Sequence, residues 1–399
     1  MKILFIIPAI GSVYGGTSKS VVELAQALII QGMTVDLVTT NANGDNTLDV
    51  PTNCWMESKG IRIQYFNYLG WKDYKLSLSM LNWLHRHIRA YNLIHSNAIF
   101  SLTNLPFYWY CQLHNLPYLV TPHGMLEPWA LAYKAWKKRL FYALFEKTAL
   151  QNASALHLLS VSEAQRIKPL RLKTPTVILP NGLHREDYET LPSPDRFYEK
   201  FPATQGKTLI LFLGRIDPKK GLDLLASSFA SVHQRFPNTH LIIAGQDNIG
   251  FLPTAKNYFA QANSLNAVTF TGMLTGQLKY AALAAADLYV APSYSEGFSM
   301  SVLEGMASGL PCIITTGCNF PEAGEAKAAH VVDINSESIA QALIQCLSDP
   351  VEAKEMGERA RQLVFSDYTW DSIAKKMIEV YDAILNDRPI PHQASNHGE

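Results

Sequence analysis

The chain has 399 residues, of which 48% are hydrophobic and 17% charged, a composition typical of a well-packed globular protein with two domains. Its formal net charge of zero argues against a nucleic-acid-binding protein. The charge is unevenly divided, because residues 1–180 carry 17 Lys and Arg against 9 Asp and Glu, and residues 181–399 carry 17 against 25. This asymmetry is compatible with an anionic partner for the first half, such as a membrane surface, and equally with a drift of surface charge.

The cysteines and the apolar segments indicate the compartment. The five cysteines show neither C-x-x-C pairing nor histidine partners at metal-binding spacing, which favours a reducing cytosol. The apolar start, residues 1–10, is short and leads into a glycine loop, so we interpret it as a buried strand rather than a signal peptide. No apolar run reaches the roughly 18 residues needed to span a bilayer. We therefore expect a cytoplasmic protein, whose membrane contact, if it has one, is peripheral and at the inner face.

The first part of the chain alternates between strands and helices. Its pattern predicts strands at 2–8, 34–39, 61–65, 93–96, 118–121, 156–160 and 176–180. It predicts helices at 18–31, 77–90, 102–114 and 127–152. Alternation of this kind is typical of a doubly wound parallel sheet. We therefore expect an N-terminal Rossmann-like domain at residues 1–185.

A second series of the same kind follows a proline-rich, charged stretch, residues 181–207, which we interpret as a linker with a short helix. The predicted strands are 208–213, 240–244, 267–270, 288–291, 312–315 and 330–332. The predicted helices are 221–236, 277–286 and a short helix after Gly297. We expect a second α/β domain at 186–369 and a loose polar tail at 389–399. Two such domains in tandem suggest a cleft between them, with ligand groups in the loops after the strands.

The most informative motif follows the predicted strand 288–291. A loop with Glu296, Gly297 and Phe298 leads into a short helix that carries Glu304. The backbone amides that open this helix are unsatisfied donors at a positive dipole end, which suits phosphate oxygens. The two carboxylates can accept hydrogen bonds from hydroxyl groups on either side of that phosphate. A ligand with hydroxyls that flank a diphosphate is a nucleotide sugar.

Two cations follow another predicted strand, 208–213. Arg215 and Lys220 lie in the sequence G-R-I-D-P-K-K-G, just before a helix. They can neutralise a diphosphate, Arg as a planar fork and Lys as a compact charge. An exposed turn with incidental basic residues is the alternative, and the glutamate motif weakens it. Because the chain has no D-x-D pair, no metal is expected, and these cations and the helix amides must neutralise the leaving group.

The first domain offers two weaker candidates. Its first loop, G-S-V-Y-G-G, lacks the G-x-G-x-x-G spacing, and no acidic residue ends the second strand, so an NAD site is disfavoured. Gly15 and Gly16 either allow close approach of a phosphate or sugar or form a plain tight turn. His123 follows the strand 118–121. It is either structural or donates a hydrogen bond to a sugar hydroxyl and stabilises charge near the reacting carbon.

A predicted helix at 129–147 interleaves basic and aromatic residues. The basic ones are Lys134, Lys137, Lys138 and Arg139, and the aromatic ones are Trp129, Tyr133, Trp136, Phe141 and Tyr142. Such a helix can lie on an anionic membrane surface. The alternative, a helix that packs on the sheet with a solvated basic side, is slightly favoured, and the sequence leaves both interpretations open.

Taken together, these motifs resemble the retaining glycosyltransferases of family 4, which have the GT-B fold. The motifs that carry the resemblance are Gly15-Gly16, His123-Gly124, Val161-Ser162-Glu163, Pro180-Asn181-Gly182, G-R-I-D-P-K-K-G from Gly214, Ala244-Gly245, Phe270-Thr271-Gly272 and the E-G-F…E pattern from Glu296 to Glu304. They extend over nearly the whole chain, and in this order they are highly specific.

The resemblance implies a role for each residue at the donor side. Arg215 and Lys220 would bind the donor diphosphate, Glu296 the donor sugar, and Glu304 the ribose hydroxyls. One departure is Ser299, where many members have glycine after the Phe. This serine leaves the backbone amide in place but narrows the room beside the phosphate.

The resemblance further implies contacts from other loops. Gly245 and the backbone at Met273 would lie along the base, and Gly16 and His123 would approach the sugar. The last helix, at 370–388, would cross back to the N-terminal domain. The implied activity is transfer of a hexose-type sugar, with retention, from a nucleotide sugar to a hydroxyl of a glycan or lipid-linked acceptor in polysaccharide or glycoconjugate biosynthesis. A UDP-sugar is favoured over a GDP-sugar, and no cofactor is expected.

Two other classes of function remain open. One is an isomerase or hydrolase of the same fold that acts on a nucleotide sugar and needs no acceptor pocket. The other is a non-catalytic sugar-nucleotide-binding protein, which is weakened because the five residues with implied chemistry are all present: Arg215, Lys220, Glu296, Glu304 and His123.

Overall fold

The computed structural model describes residues 1–69, 76–126, 131 and 135–393 and divides into two compact units. The first unit comprises Met1–Gly182 together with Trp370–Glu399. The second unit comprises Leu183–Thr369. Each unit contains its own parallel sheet covered by helices on both faces, so the predicted pair of doubly wound α/β domains is confirmed.

The first unit is built on an eight-stranded sheet. In spatial order its strands are Thr176–Ile178, Ala155–Leu158, Tyr118–Thr121, Leu93–Asn97, Lys2–Ala9, Thr34–Thr40, Ile61–Phe66 and Trp55–Ser58. All neighbours are parallel except the last pair, which is antiparallel. Sequence patterning did not predict this edge strand, because its four residues lack the buried apolar run of the others.

The helices of the first unit lie along both faces of this sheet. They are Gly16–Ile30, Leu78–His87, Leu105–His114, Ala135–Phe141, Lys147–Gln151, Val161–Ile167 and Trp370–Leu385. A π-helical turn, Tyr142–Glu146, joins two of them. The helix predicted at 127–152 is thus helical over 135–151, and its residues 127–130 and 132–134 lie outside the described residues.

Alternating side chains of the first strand show how the core is divided. Ile3 and Phe5 belong to a cluster with Trp370 and Tyr381, whereas Leu4 belongs to a second cluster on the other face. This is the period of two expected for a strand that is buried on both faces. The helix Trp370–Leu385 therefore completes the core of the first unit although it comes last in the chain.

The second unit has a six-stranded sheet in which all neighbours are parallel. In spatial order its strands are Val268–Gly272, Thr239–Ala244, Thr208–Leu213, Leu288–Ala291, Cys312–Thr315 and His330–Val332. Its main helices are Leu222–Arg235, Leu252–Gln261, Gly276–Ala285, Met300–Ala307, Pro321–Glu325, Ser336–Ser348 and Pro350–Asp367.

Most of the stretch predicted as a linker, 181–207, belongs to the second unit, which begins at Leu183. It forms the short helices Glu186–Glu189 and Asp195–Lys200. Tyr188 and Phe197 are buried in the core of that unit. The linker prediction was wrong because the charged residues of these helices are exposed, and only one aromatic residue of each helix is buried.

The end of the chain, predicted as a loose tail at 389–399, is described as far as residue 393. There the amide of Ile178 donates to the carbonyl oxygen of His392 at 2.9 Å, and Gln393 bridges to Val177. The His392 imidazole lies 3.0 Å from Glu379. Residues 394–399 lie outside the described part of the chain.

Two loops of the second unit approach so closely that one position must be glycine. A Cβ atom on Gly245 would lie 1.7 Å from the carbonyl oxygen of Gly214, the residue that follows the neighbouring strand. The Gly245 amide donates to the Gly272 carbonyl at 2.9 Å, which holds the segment in place from the other side. The close approach of these loops therefore depends on the missing side chain.

We expect Gly245→Ala to destabilise the protein by about 3 kcal/mol, because the new methyl group must push two backbones apart. Thermal and urea unfolding will measure the loss. The control is Gly250→Ala, where φ is +75° and the space is open, so only backbone strain of about 1 kcal/mol is expected. Equal losses in the two variants would contradict the close-approach argument.

Candidate active site

The candidate residues of the second unit lie at one edge of its sheet. Arg215 follows the strand Thr208–Leu213, and Met273 follows Val268–Gly272. Glu296 lies in the loop after Leu288–Ala291. Because the strands are parallel, these loops all leave from the carboxyl edge, where doubly wound domains bind their ligands.

An ion pair joins the two principal candidates at this edge. The Lys220 Nζ donates to Glu296 Oε1, and each of the two side chains is only 14% exposed. The Ser293 hydroxyl donates to the same oxygen at 2.8 Å. A charge with so little access to water requires a partner, and here each ion serves as the partner of the other. The structure therefore brings together the cation and the carboxylate that the sequence placed in separate motifs.

The loop that carries Glu296 is fixed by the neighbouring strand Cys312–Thr315 and the turn after it. The Glu296 amide donates to the Gly317 carbonyl at 2.8 Å, and the Asn319 side-chain amide donates to the Glu296 carbonyl. A Cβ on Gly317 would lie 2.2 Å from the carbonyl oxygen of Ser293. Sequence reasoning missed these supports, although their position after a predicted strand was the available signal.

A second attachment ties the same loop to the turn of Lys220. The Tyr294 amide donates to the Lys219 carbonyl at 2.8 Å. The Tyr294 hydroxyl donates to Asp223 Oδ2 at 2.5 Å. The loop and the turn are thus held against each other from both sides, which fixes the geometry of the Lys220–Glu296 pair.

The second carboxylate, Glu304, has a different cation as its partner. The Lys279 Nζ lies 2.8 Å from Glu304 Oε1, and the Lys279 and Glu304 side chains are 19% and 17% exposed. The Tyr188 hydroxyl lies near Glu304, and burial together with the charge of this carboxylate raises the pKa of Tyr188. Sequence reasoning missed Lys279 and Tyr188, because neither belongs to a motif near the E-G-F…E pattern.

The helix that carries Glu304 begins at Met300, in the stretch after Gly297 where the sequence predicts it. The Ser299 carbonyl accepts the amides of Val302 and Leu303, so Ser299 is the N-cap residue. Its side chain makes no capping hydrogen bond.

Of the two remaining candidates in this loop, Phe298 is packed against other aromatic rings and Gly297 is exposed. The Phe298 ring stacks on Tyr368, with centroids 6.2 Å apart, and contacts Phe320 edge to face. Gly297 is exposed. Phe298 therefore anchors the loop to the core, and its ring is committed to protein contacts.

Arg215 and Met273 are exposed at the same sheet edge, and the Met273 side chain is 64% exposed. Within the described residues Arg215 has no ion-pair partner. Gly245 lies in the loop between these two positions in the sheet order. These three residues leave side-chain and backbone groups accessible to a ligand.

The glycine loop of the first unit leaves open space. Gly15 has φ +67°, which favours glycine, and Gly16 begins the helix Gly16–Ile30. Both are exposed, and an added Cβ at either would meet no atom within 4 Å. Room beside this backbone is compatible with the predicted approach of a ligand, and Gly15 also serves as the N-cap residue of the helix.

His123 is held neutral in a strained backbone position, with φ +52°. Burial, with a smaller contribution from His157, lowers the pKa of His123 to about 3. Its Nε2 lies 3.1 Å from Asn97 Oδ1, so Nε2 carries the hydrogen and Nδ1 is an acceptor. This arrangement does not support the predicted hydrogen-bond donation or charge stabilisation by the ring, which can instead accept a hydrogen bond from a hydroxyl.

A buried chain of hydrogen bonds lies behind His123. His157 Nε2 contacts the Leu179 carbonyl at 2.8 Å, so the nitrogen Nδ1 must accept from Thr121. Thr121 then accepts from His95 Nε2 at 2.7 Å, and His95 Nδ1 accepts from the Tyr381 hydroxyl at 2.6 Å. This sequence of donors requires both imidazoles to be neutral, in agreement with burial, which lowers the pKa of each.

A buried carboxyl group lies in the π-helical turn of the first unit. Glu146 Oε1 accepts the Phe100 amide at 2.8 Å, whereas Oε2 has no hydrogen-bond partner among the described residues. Burial raises the pKa of Glu146 from 4.5 to about 7. The nearby Tyr108, Tyr118 and Tyr142 have raised pKa values as well, so none of them titrates near neutral pH.

The basic and aromatic helix presents apolar groups to solvent. Trp136, Leu140 and Leu144 recur every four residues and are 70%, 53% and 59% exposed. Lys138 and Arg139 are next to them in the sequence, and Phe141 is buried. Trp129, Tyr133 and Lys134 lie outside the described residues, and the Lys137 side chain is not described.

The described ranges, 1–69, 76–126, 131 and 135–393, contain no group of three or more His, Cys, Asp or Glu side chains that could hold a metal ion. In the same part of the chain no helix is long and apolar enough to cross a membrane.

Two family models match the chain, one in each half. The model described as Glycosyltransferase Family 4 matches residues 14–187, and the model described as Glycosyl transferases group 1 matches residues 195–363. The first match includes His123, and the second includes Lys220 and Glu296. Together the two matches extend over most of the chain.

Two bacterial glycosyltransferases are similar to this chain in sequence, one over about half of it and the other over most of it. The phosphatidyl-myo-inositol mannosyltransferase of Mycobacterium tuberculosis (strain H37Rv) is 30% identical over 230 residues, which are 55% of this chain and 57% of that protein. The chain therefore spans little more than half the length of that enzyme. An uncharacterised glycosyltransferase of Bacillus subtilis (strain 168) is 26% identical over 335 residues, which are 82% of this chain and 88% of the relative.

Solved structures share the fold. The crystal structure of Anabaena HepE in complex with UDP superposes with a TM-score of 0.75 at 17% identity and covers 96% of this chain and 100% of that chain. At this identity the likeness concerns the fold alone. The expected fold, GT-B, is confirmed.

The buried carboxyl group generates a prediction for stability. Because the pKa of Glu146 is raised in the folded state, folding favours the protonated form, and its contribution is full below pH 4.5 and lost as pH rises through about 7. We expect the free energy of unfolding to fall by about 3 kcal/mol from this group between pH 5 and pH 8. The matched variant is Glu146→Gln, which can still accept the Phe100 amide but cannot titrate.

Thermal unfolding of both proteins at several pH values will measure the effect. The wild type should lose stability relative to Glu146→Gln as pH rises. A constant difference between the two proteins over this range would show that Glu146 does not have a raised pKa.

Proposed function

Because this chain belongs to the family 4, group 1 glycosyltransferases, we propose that it moves a hexose-type sugar from a nucleotide-diphosphate sugar to a hydroxyl of a glycan or lipid-linked acceptor, with retention. The observation that carries the proposal is the Lys220–Glu296 pair at the carboxyl edge of the second sheet. The pair offers a cation for phosphate and an anion for hydroxyl groups at one place. The proposed setting is polysaccharide or glycoconjugate biosynthesis.

The donor diphosphate is proposed to bind at Lys220 and Arg215. An ammonium group has three N–H donors, and the Lys220 group donates to Glu296. The others remain for phosphate oxygens, and the exposed Arg215 guanidinium can add a planar fork. These two cations, with the amides at the start of the helix Met300–Ala307, offset the charge of the leaving group without a metal.

The donor sugar is proposed to bind at Glu296. One of its carboxylate oxygens accepts from Lys220 and Ser293, so the carboxylate is already oriented before it meets a hydroxyl group. This oriented carboxylate is proposed to accept from a hydroxyl group of the sugar. Because Lys220 contacts both the carboxylate and the proposed phosphate position, the pair couples sugar recognition to diphosphate recognition.

Retention is proposed to follow a same-face substitution. The bond from the anomeric carbon to the phosphate oxygen breaks, and the bond to the acceptor oxygen forms on the same face. The acceptor proton passes to the departing phosphate oxygen, and the sugar passes through an oxocarbenium-like state. Two buried carboxylates of the first unit do not suit a nucleophile, because Glu163 accepts backbone amides with both oxygens at 2.8 Å and Glu146 is buried.

The donor nucleotide is proposed to be UDP rather than GDP. The support is a fold-level analogy with a protein solved in complex with UDP. A panel of UDP-, GDP- and ADP-sugars, read by thermal shift, tests the choice.

Release of nucleoside diphosphate with and without candidate acceptors separates the transferase from a hydrolase, which would need no acceptor. A protein that binds but never releases the nucleotide would be a non-catalytic binding protein.

We further propose that the exposed stripe of Trp136, Leu140 and Leu144 makes peripheral contact with an anionic membrane. Apolar side chains next to Lys138 and Arg139 combine insertion into the interface with attraction to anionic lipid. Such contact would bring the protein to a lipid-linked acceptor at the inner face of the membrane.

We expect Lys220→Ala to lower turnover by about two orders of magnitude, because one preorganised cation is lost from the leaving group. The matched control is Lys219→Ala, which removes the same charge from the exposed neighbour and leaves its carbonyl contact with Tyr294 intact. Steady-state kinetics with the donor from the panel will compare the two variants. Near-normal turnover of Lys220→Ala would rule out the proposed role.

For the membrane, we expect the double variant Trp136→Glu/Leu140→Glu to bind vesicles of phosphatidylglycerol and phosphatidylcholine at least about tenfold more weakly. The reason is that two apolar groups are replaced by anions, which makes the free energy of binding less favourable by about 1.4 kcal/mol or more. The control is Ile30→Glu/Val351→Glu, which makes the same charge change at two other exposed apolar positions. Vesicle sedimentation will measure both. Equal binding by the two double variants would contradict the assigned surface.

A further inference from the structure

The carboxylate of Glu304 is paired with a lysine that no motif predicts. Lys279 Nζ lies 2.8 Å from Glu304 Oε1, and both side chains are less than one-fifth exposed. The Tyr188 hydroxyl lies near the same carboxylate. Tyr188 itself is buried in the core of the second unit.

These residues come from three separate helices of the second unit. Lys279 lies on Gly276–Ala285, which follows the loop of Met273, and Glu304 lies on Met300–Ala307. Tyr188 lies on the short helix Glu186–Glu189. The site of Glu304 therefore depends on three elements that are far apart in the sequence.

Aromatic contacts fix the lysine from a second direction. Lys279 Nζ lies 5.1 Å from the centroid of the Tyr280 ring. That ring packs edge to face on Tyr188, with centroids 5.5 Å apart. Lys279, Tyr280, Tyr188 and Glu304 thus form a closed set of contacts, in which the orientation of each side chain depends on the others.

The hydrogen-bonding capacity of the carboxylate shows what this set can bind. An ionised carboxylate has roughly four acceptor sites. Lys279 occupies one of them, which leaves at least about two for a ligand. Two acceptor sites on one oriented carboxylate match the two vicinal hydroxyls of a ribose.

We propose that Lys279 is a positioning residue that makes the site selective for ribonucleotides over 2′-deoxyribonucleotides. It compensates the charge of Glu304 and fixes the carboxylate so that both ribose hydroxyls find an acceptor. The inference rests on the proposed function, and on the role that the family resemblance implies for Glu304 at the ribose hydroxyls of the donor. It adds Lys279 to that site and assigns to it a selectivity that can be measured without an acceptor.

The test measures the binding of UDP, GDP, ADP and their 2′-deoxy forms by calorimetry. For the ribonucleotide that the wild type binds best, Lys279→Met should weaken binding about tenfold, on the scale of one charge-assisted hydrogen bond. Binding of the matching 2′-deoxy form should change less than threefold. Lys279→Arg keeps the charge and a donor, so it should recover part of the selectivity.

A second variant guards against misfolding. Tyr188→Phe keeps the ring in the core and removes the hydroxyl near Glu304, so it should also reduce the ratio of ribo to deoxy affinity. Equal weakening of both nucleotide forms by Lys279→Met would overturn the inference, because it would indicate direct phosphate contact or general damage. Unchanged binding would overturn it as well. A wild type that binds no nucleoside diphosphate at all would instead overturn the proposed function on which the inference rests.

Discussion

The geometry of the candidate site depends on one close backbone contact. Gly221 has φ +68°, and a Cβ there would lie 2.0 Å from the Pro292 carbonyl oxygen. This contact allows the turn that ends at Lys220 to lie against the loop of Glu296, although the two residues are 76 positions apart in the sequence. The strands behind them, Thr208–Leu213 and Leu288–Ala291, are neighbours in the sheet. The Lys220–Glu296 ion pair therefore depends on the close packing of these two backbone segments.

The same design occurs twice in the second unit, because each candidate carboxylate is paired with a lysine from another element. Glu296 pairs with Lys220, and Glu304 pairs with Lys279. A poorly exposed carboxylate without a counter-ion would be costly, and a fixed one loses little entropy when it accepts a hydroxyl group. Pairing thus serves both the stability of the fold and the preorganisation of the site. Arg215 remains exposed and so adds a cation that a diphosphate can reach.

The sequence could predict strands of the second sheet such as Thr208–Leu213 and Leu288–Ala291 because they contain short, continuous apolar runs. Thr208–Leu213 and Cys312–Thr315 have the predicted bounds. The fold follows from these runs and the helices between them, whereas side-chain partners do not. Lys279 and Tyr188 reach Glu304 only through tertiary packing, so no local pattern indicates them. The linker prediction at 181–207 was wrong for a related reason, since its buried anchors are isolated aromatics between charged residues.

Charge is distributed in the candidate residues as the proposed mechanism requires. The ions, Lys220, Glu296 and Arg215 among them, belong to the second unit, whereas His123 of the first unit is kept neutral by burial. In the proposed mechanism, an imidazolium close to the sugar would repel the positive charge that develops there. A neutral ring that accepts a hydrogen bond avoids this cost. The low pKa of His123 therefore agrees with the proposed mechanism, in which the departing phosphate accepts the proton.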